Sequence, residues 1–553
     1  MQGRTIFFWF MLMASQTASA VEFQGRVVDR DSRAVLAARV YIEKQGGQAG
    51  EPRWYFAKST SSSGSAIAYR EQWVPMPLSV EKHTTVSAHP FVAELPAGNY
   101  RVRVERGKEY IPAEFSVSIG SNKVSKDLPI VRFVNLAAQG WYSGETHVHR
   151  RPHELSNVQL AEDLNVTFPV TFWTINSNKA PHLSPSPLRR QGPSPHGDRK
   201  DLGADVILID RTHVMFPRNT EYEVFNIDQQ RHTLGAVFVL NHKSIFTEKM
   251  PPVAKIAEKA HAEGALLDLD KHSWPWSMML VPVAKVDLFE LSNNSLWRTE
   301  FGFRRSAVPT ARQWNIESDA GGMTEYGWIQ FGLQNYYTLL NCGFDLKPTA
   351  GTASGVHPVP LGFSRVYVHQ PKGFTPQGWI SGLKQGRSFV TTGPMLLATV
   401  DGLLPGATLR RSSDKVKEVS LKGEVIYHEK VDRVEVVGTG FSDVIPVQWR
   451  RTGSGAWKGT FQWARAFDRT SFVAVRCYQF DKNRRVRFAH TAPWYVRVDD
   501  QPIRPFRWEV DYLIQRIETE ITRNQQVLPP AAMSEYQQAL RIYKEIRSRA
   551  IVE

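Results

Sequence analysis

The chain has 553 residues, 42% hydrophobic and 22% charged, with a formal net charge of +14 and two cysteines. That length and balance describe an ordinary globular protein of several domains, and they leave no place for a disulfide framework or a cysteine-based metal site. A basic surface favours acidic partners, such as phosphorylated or carboxylated polymers or anionic membrane surfaces. Lys and Arg are scattered, with no tract interleaved with aromatics, so nucleic acid is not an expected partner.

Residues 1–20 read as a signal peptide. Arg4 supplies the positive start, Ile6 to Ala14 a short apolar run, and Ala18-Ser19-Ala20 a small-x-small cleavage site. The run is too short to span a bilayer, and no transmembrane segment is expected elsewhere. Cleavage near Ala20 would deliver a periplasmic or secreted protein. Residues 21–138 alternate polar and apolar side chains between Gly/Pro/Asn turns, as in Tyr100-Arg101-Val102-Arg103-Val104, which predicts a β-sandwich. Its Leu95-Pro96-Ala97-Gly98-Asn99-Tyr100-Arg101-Val102 resembles the carboxypeptidase-regulatory-like sandwich.

From about residue 139 the pattern changes. Apolar strand-like runs (168–173, 205–210, 236–241, 265–270, 286–291) alternate with helical patterns such as Val253 to His261. Buried strands alternating with helices predict a parallel sheet or an α/β barrel, with chemistry at the C-terminal strand ends. A Pro/Ser/Arg-rich insertion at 176–203 reads as a surface loop, and its His182 and His196 as solvated. Strand patterns return over 396–500 and predict a second β-sandwich. Residues 501–553 read as a helical tail divided at Pro529-Pro530, with Ile514, Ile517 and Ile521 on one face and Tyr536, Leu540 and Tyr543 on another. This tail is expected to pack on the rest of the chain.

Two runs carry chemistry. In Gly144-Glu145-Thr146-His147-Val148-His149, strand alternation puts Glu145, His147 and His149 on one face. Two imidazoles so placed can chelate one metal ion, with Glu145 adding an oxygen or orienting a ring. In Leu267-Asp268-Leu269-Asp270-Lys271-His272, two carboxylates and an imidazole share a face, a costly arrangement to bury unless a metal, a charged substrate or a salt-bridge network offsets it. Further candidates are Glu221, Glu223, His232, His242, Glu290 and His357.

Gly140-Trp141-Tyr142-Ser143-Gly144-Glu145-Thr146-His147-Val148-His149 resembles the opening motif of the polymerase-and-histidinol-phosphatase (PHP) superfamily, in its exported CehA/McbA-like branch. Residues 339–344, 349–352, 382–394 and 489–496 resemble the same branch. The resemblance implies a distorted (β/α)7 barrel over 139–395, flanked by the two sandwiches, and a divalent metal cluster that activates water against a phosphoester, carbamate, ester or amide bond. It assigns His147, His149, Glu221 (with Glu223 as alternative), His232 and His272 as ligands, with His357 as a substitute. Asp268 or Asp270 would serve as general base or as partner to a histidine. Lys271 or Arg365 would bind an anionic group of a small-molecule or polymer substrate. The motif departs at Phe172-Trp173-Thr174 and at Ala353 and Gly355, where the family places further ligands, so one or two ions of Zn, Mn or Fe are expected rather than three. The alternative is an exported, non-catalytic binding protein using a degenerate pocket, lined by Trp173, Trp274, Trp276 and Trp297, for a glycan or other polymer.

Overall fold

A computed structural model describes residues 20–47, 52–71, 81–150, 152–183, 203, 205–414 and 418–552. Residues 1–19, where a signal peptide is expected, and the part of the insertion that carries His196 lie outside the described residues. Among the described residues, no helix is long and apolar enough to cross a membrane. The fold is mixed α/β, rich in strands and sparing in helices.

The first module is a pair of sheets with five and six strands, the sixth of the larger sheet, Trp54–Tyr55, pairing off its main path. Val21–Asp29 lies between Phe91–Leu95, antiparallel, and Val124–Arg132, parallel. In Gly98–Glu105, Tyr100, Val102 and Val104 point into the core, while Asn99 and Arg101 face out. Phe23, Val40, Ile42, Phe91 and Leu128 close that core.

The middle region is not the regular alternation of strand and helix that its apolar runs suggest, and its strands lie in two separate ladders rather than one closed barrel. Trp141–Val148 sits between Val166–Pro169 and Arg365–His369 in one sheet. Phe172–Asn176, Asn219–Ile227, Gln230–Leu240, Leu266–Leu269, Leu288–Ser292 and Lys347–Ala350 follow one another across the other. The departure has a local cause. Asp228 and Gln229 both adopt positive φ, 46° and 69°, and join Asn219–Ile227 directly to Gln230–Leu240 as an antiparallel hairpin. A two-residue turn of this kind leaves no room for the helix that a parallel crossover needs. The run at 168–173 is likewise split. The Val170 amide donates to Val148 O in one sheet (2.7 Å), and the Thr171 amide to Asn219 O in the other (3.2 Å).

The first of these sheets continues beyond the middle region. Ser388–Thr391 pairs with Arg365–His369 on one side and with Val486–Thr491 on the other. The ladder runs on through Ser471–Phe480 and Arg433–Gly438. A four-stranded sheet begun by Met395–Val400 packs over these strands through Leu396, Val425, Val436 and Val475. Cys342 and Cys477 are buried free thiols.

The tail forms two helices, Arg507–Asn524 and Pro530–Ser548, that pack on each other and on Ser277–Ala284. Leu513, Ile517, Tyr536 and Tyr543 are buried, and the Tyr543 hydroxyl donates to Met278 O at 2.7 Å. Glu535 does more. Helix Ala254–Glu263 has no side-chain cap of its own at Val253, and the Glu535 carboxylate accepts from the Val253 and Ala254 amides, both at 2.8 Å. A carboxylate at a helix N-terminus satisfies orphan amides and complements the dipole. Glu535→Ala would strand those donors, so we expect a loss of about 1–3 kcal/mol in urea unfolding, with Glu535→Gln recovering part of it.

Candidate metal centre

The strand Trp141–Val148 is buried along its whole length. Gly144 permits this, because a Cβ there would lie 2.2 Å from the Trp379 ring, whose Nε1 donates to Tyr142 O. The strand end presents His147 and His149 between the two sheets, with their Nε2 atoms 3.2 Å apart. Nitrogens held by one tetrahedral zinc at about 2.0–2.1 Å stand about 3.4 Å apart, so the spacing suits a shared ion. Glu221, from the facing sheet, brings Oε2 to 3.2 Å from His149 Nε2. On the other side of His147, Nδ1 lies 3.0 Å from Glu290 Oε2. Two donor groups result, His147–His149–Glu221 and His147–Asp270–Glu290, each with its ligand atoms within 4.8 Å of one another.

The donor chemistry fits a cation. Both Glu221 oxygens and Asp270 Oδ1 are buried without a hydrogen bond among the described residues. Native interiors rarely leave such acceptors unsatisfied. Burial drives His147 well below the ordinary imidazole range and His149 to about 3, so both rings are neutral with lone pairs free for a metal. Burial also raises the Glu221, Glu223 and Glu290 carboxyls above the usual carboxylate range. One ammonium sits in this acidic centre. Lys271 Nζ is paired with Asp270 and lies 3.8 Å from Glu221 and 3.9 Å from Glu223. It is therefore engaged by carboxylates, whereas the sequence suggested it for a substrate anion.

Glu145 does not face the cluster as a ligand. Its carboxylate accepts from the amides of Thr352 (2.8 Å) and Gly362 (2.5 Å) and from the Thr352 hydroxyl, pinning the loop that follows Lys347–Ala350. That loop presses on the histidines. A Cβ at Gly355, where φ is +107°, would meet His149 O at 2.6 Å, so this position has no room for a ligand side chain. Trp173 fills the other departed position, its ring 4.7 Å from that of His149. Asp268 accepts from the Thr349 hydroxyl at 2.8 and 2.9 Å, and burial lifts it to about 7.

Several expected ligands lie elsewhere. His232 is at the hairpin end, its Nε2 2.7 Å from Asn524 Oδ1 of the tail. His272 stacks on Phe289 (5.5 Å, 9° between planes) beneath helix Glu325–Asn341, with Asn293 Nδ2 3.3 Å from its Nε2. His242 is spent on Thr220 and Ser244 O. Arg365 donates to the carbonyls of Gly362 and Glu162, which takes it out of substrate binding. His357 stays near, on the same loop as Gly355, and burial keeps its ring neutral. Its Nε2 meets Asn294 Nδ2 at 3.0 Å, and its buried Nδ1 has no hydrogen bond among the described residues. Glu290 is the residue whose weight the motif did not disclose. Its signal was a carboxylate inside the apolar strand Leu288-Phe289-Glu290-Leu291, which must find a cation or a donor when buried.

No family model and no curated protein matches this chain. Among solved structures it is similar to a two-domain protein containing a predicted PHP-like metal-dependent phosphoesterase from Bacteroides vulgatus, at 9% identity and a TM-score of 0.30, over 64% of this chain and 94% of that one.

The electrostatics set a pH dependence for metal-free protein. Burial raises Glu145 to about 8 and Asp268 to about 7, so the folded state holds protons that the unfolded state releases near 4. Stability from this source falls as pH rises. His149, His272 and His357, lowered to about 3, act oppositely, but only below their unfolded value of 6.5. Between pH 6.5 and 8 the carboxylates therefore decide. The melting temperature of chelated protein should fall across that window, less steeply below pH 7 in Asp268→Asn, and a profile that rises would contradict this balance. Lys271→Met should cost metal-free protein about 3–5 kcal/mol in denaturant titration, because it strips the buried carboxylates of their ammonium.

Proposed function

We propose that this chain is an exported metal-dependent hydrolase of the PHP kind, close to the CehA/McbA-like branch. The observation that carries the reading is the meeting of His147, His149 and Glu221 from two sheets, with carboxylate oxygens left unbonded beside neutral imidazoles. His147, His149 and Glu221 would hold one divalent ion, with Asp270 and Glu290 the further carboxylates grouped on His147. A bound divalent cation supplies Lewis acidity, polarising a phosphoryl or carbonyl oxygen and acidifying water.

The chain's own residues do the rest. Glu290 accepts the His147 Nδ1 proton, which turns the Nε2 lone pair toward His149. Lys271 offsets part of the negative charge and holds Asp270 in place. Asp268, poised near neutrality beside Thr349, is the group suited to take a proton and return it to a leaving group. The rings of Trp173 and Phe238 cover His149 and His147 and exclude bulk water. Phosphoesters are the first substrate class to test, followed by carbamates, esters and amides.

The test is elemental analysis of the mature protein, purified without chelator or affinity metal, beside His147→Ala/His149→Ala. We expect about one or two equivalents of Zn, Mn or Fe in the wild type, lost in the double variant, and phosphodiester hydrolysis that follows the metal. Wild-type protein free of metal, with no thermal shift on added Zn or Mn, would overturn the reading in favour of a non-catalytic binding protein.

A further inference from the structure

The outer face of the six-stranded N-terminal sheet carries a cleft of about 890 Å³, closed at one side by Arg298 and Thr299 of the middle region. Its floor is laid down by strand pairing. Tyr41 and Glu43 from Ala38–Gln45 stand opposite Arg103 and Arg101 of Gly98–Glu105, and Trp54 stands opposite Glu43. Six cationic side chains line the cleft against two carboxylates, Glu43 and Glu114. The imbalance survives pairing. Arg53 and Arg101 share the single carboxylate of Glu43. Arg103 and Arg298 both draw on Glu105 behind the floor.

Arg70 and Lys82 are the sharper observation. They are direct cross-strand partners, and among the described residues neither has a carboxylate partner. Like charges placed opposite each other on neighbouring strands destabilise a sheet. The guanidinium of Arg70 instead lies over the Phe56 ring at 4.1 Å. Trp54 is half-buried, and the Thr299 hydroxyl, although buried, has no hydrogen bond among the described residues. The cleft thus offers arginine forks, an ammonium, aromatic surface, and acceptors in Glu114 and Thr299.

The geometry points to a binding site for an acidic saccharide: sugar rings against Trp54 and Phe56, and their anionic groups on Arg70, Lys82 and the Arg53–Arg101 pair. Arginine forks engage oxyanions in bidentate fashion. The volume falls within the range of about 300–1,000 Å³ typical of ligand pockets. Glu114 and the Thr299 hydroxyl argue for a sugar over a nucleic acid, since every sugar ring brings several hydroxyls to such groups beside its charge. Arg298 directly follows Trp297, whose ring packs against His357 at 6.3 Å between centroids, so the cleft wall and the metal-centre wall are consecutive residues. The site stands independently of whether the centre turns over.

The experiment uses the full mature chain and follows tryptophan fluorescence and retardation in gels containing polygalacturonate, phosphorylated yeast mannan, neutral dextran or polyuridylate. The expected result is binding to polygalacturonate, to phosphomannan or to both, none to dextran, and weakening as salt is raised. The two acidic arms tell carboxylate from phosphate as the recognised group. Arg70→Ala/Lys82→Ala should weaken binding about ten-fold or more while leaving the melting temperature unchanged or higher. Trp54→Ala should weaken it with every charge retained. Failure to bind either acidic glycan, indifference to both variants, or equal or tighter binding of polyuridylate would overturn the proposal.

Discussion

The molecule is organised around an excess of buried negative charge. Glu145, Glu221, Glu223, Asp268, Asp270 and Glu290 are all buried, and Lys271 is the ammonium set among them. No apolar core gains from such a group, since ionised carboxylates lose several kcal/mol of hydration on burial. Each is therefore protonated, pinned by donors or left for a cation. Glu145 and Asp268 are pinned by the loop and strand at 349–362. Glu221 and Asp270 retain unbonded oxygens. This division separates the residues that build the centre from those that serve it.

Much of this was legible in the chain. Period-two alternation located strands of the first module where one face is buried and the other is wet, as at Tyr100 to Val104, although Ala38–Gln45 is covered on both faces. The His-x-His spacing placed two rings on one face, and their convergence follows from strand geometry alone. What could not be read was long-range. The hairpin at Asp228-Gln229 turned an apparent parallel strand into an antiparallel one, a choice made by two backbone torsions in residues without glycine. His232 and His272 have the right residue type, but the first lies at the far end of that hairpin and the second beneath a helix. Glu290 waited on a neighbour 143 positions away.

The flanking modules are not appendages to the centre. Helix Pro152–Ala161, which follows the histidines, is seated against the N-terminal sheet. Asn157 donates to Thr85 O, Arg106 donates to Leu160 O, and Arg39 is buried against both Glu105 and Glu162. The Tyr69 ring lies under the guanidinium of Arg150, the residue after His149. From the opposite end, the tail supplies Glu535 to a helix and Asn524 to His232. The centre is thereby held by parts of the chain some 70 residues before it and nearly 400 after it.

One sheet runs from Val166–Pro169 through the His-x-His strand and on into the last sandwich. The divisions visible in composition are therefore not divisions in hydrogen bonding. Cutting the chain near residue 396 would bare Ser388–Thr391 as an open, apolar edge, the kind of surface along which chains stack on one another. The stretch that carries the histidines is thus not a transferable unit. It must be inherited, expressed and folded together with the strands that close its edge, however different their composition looks.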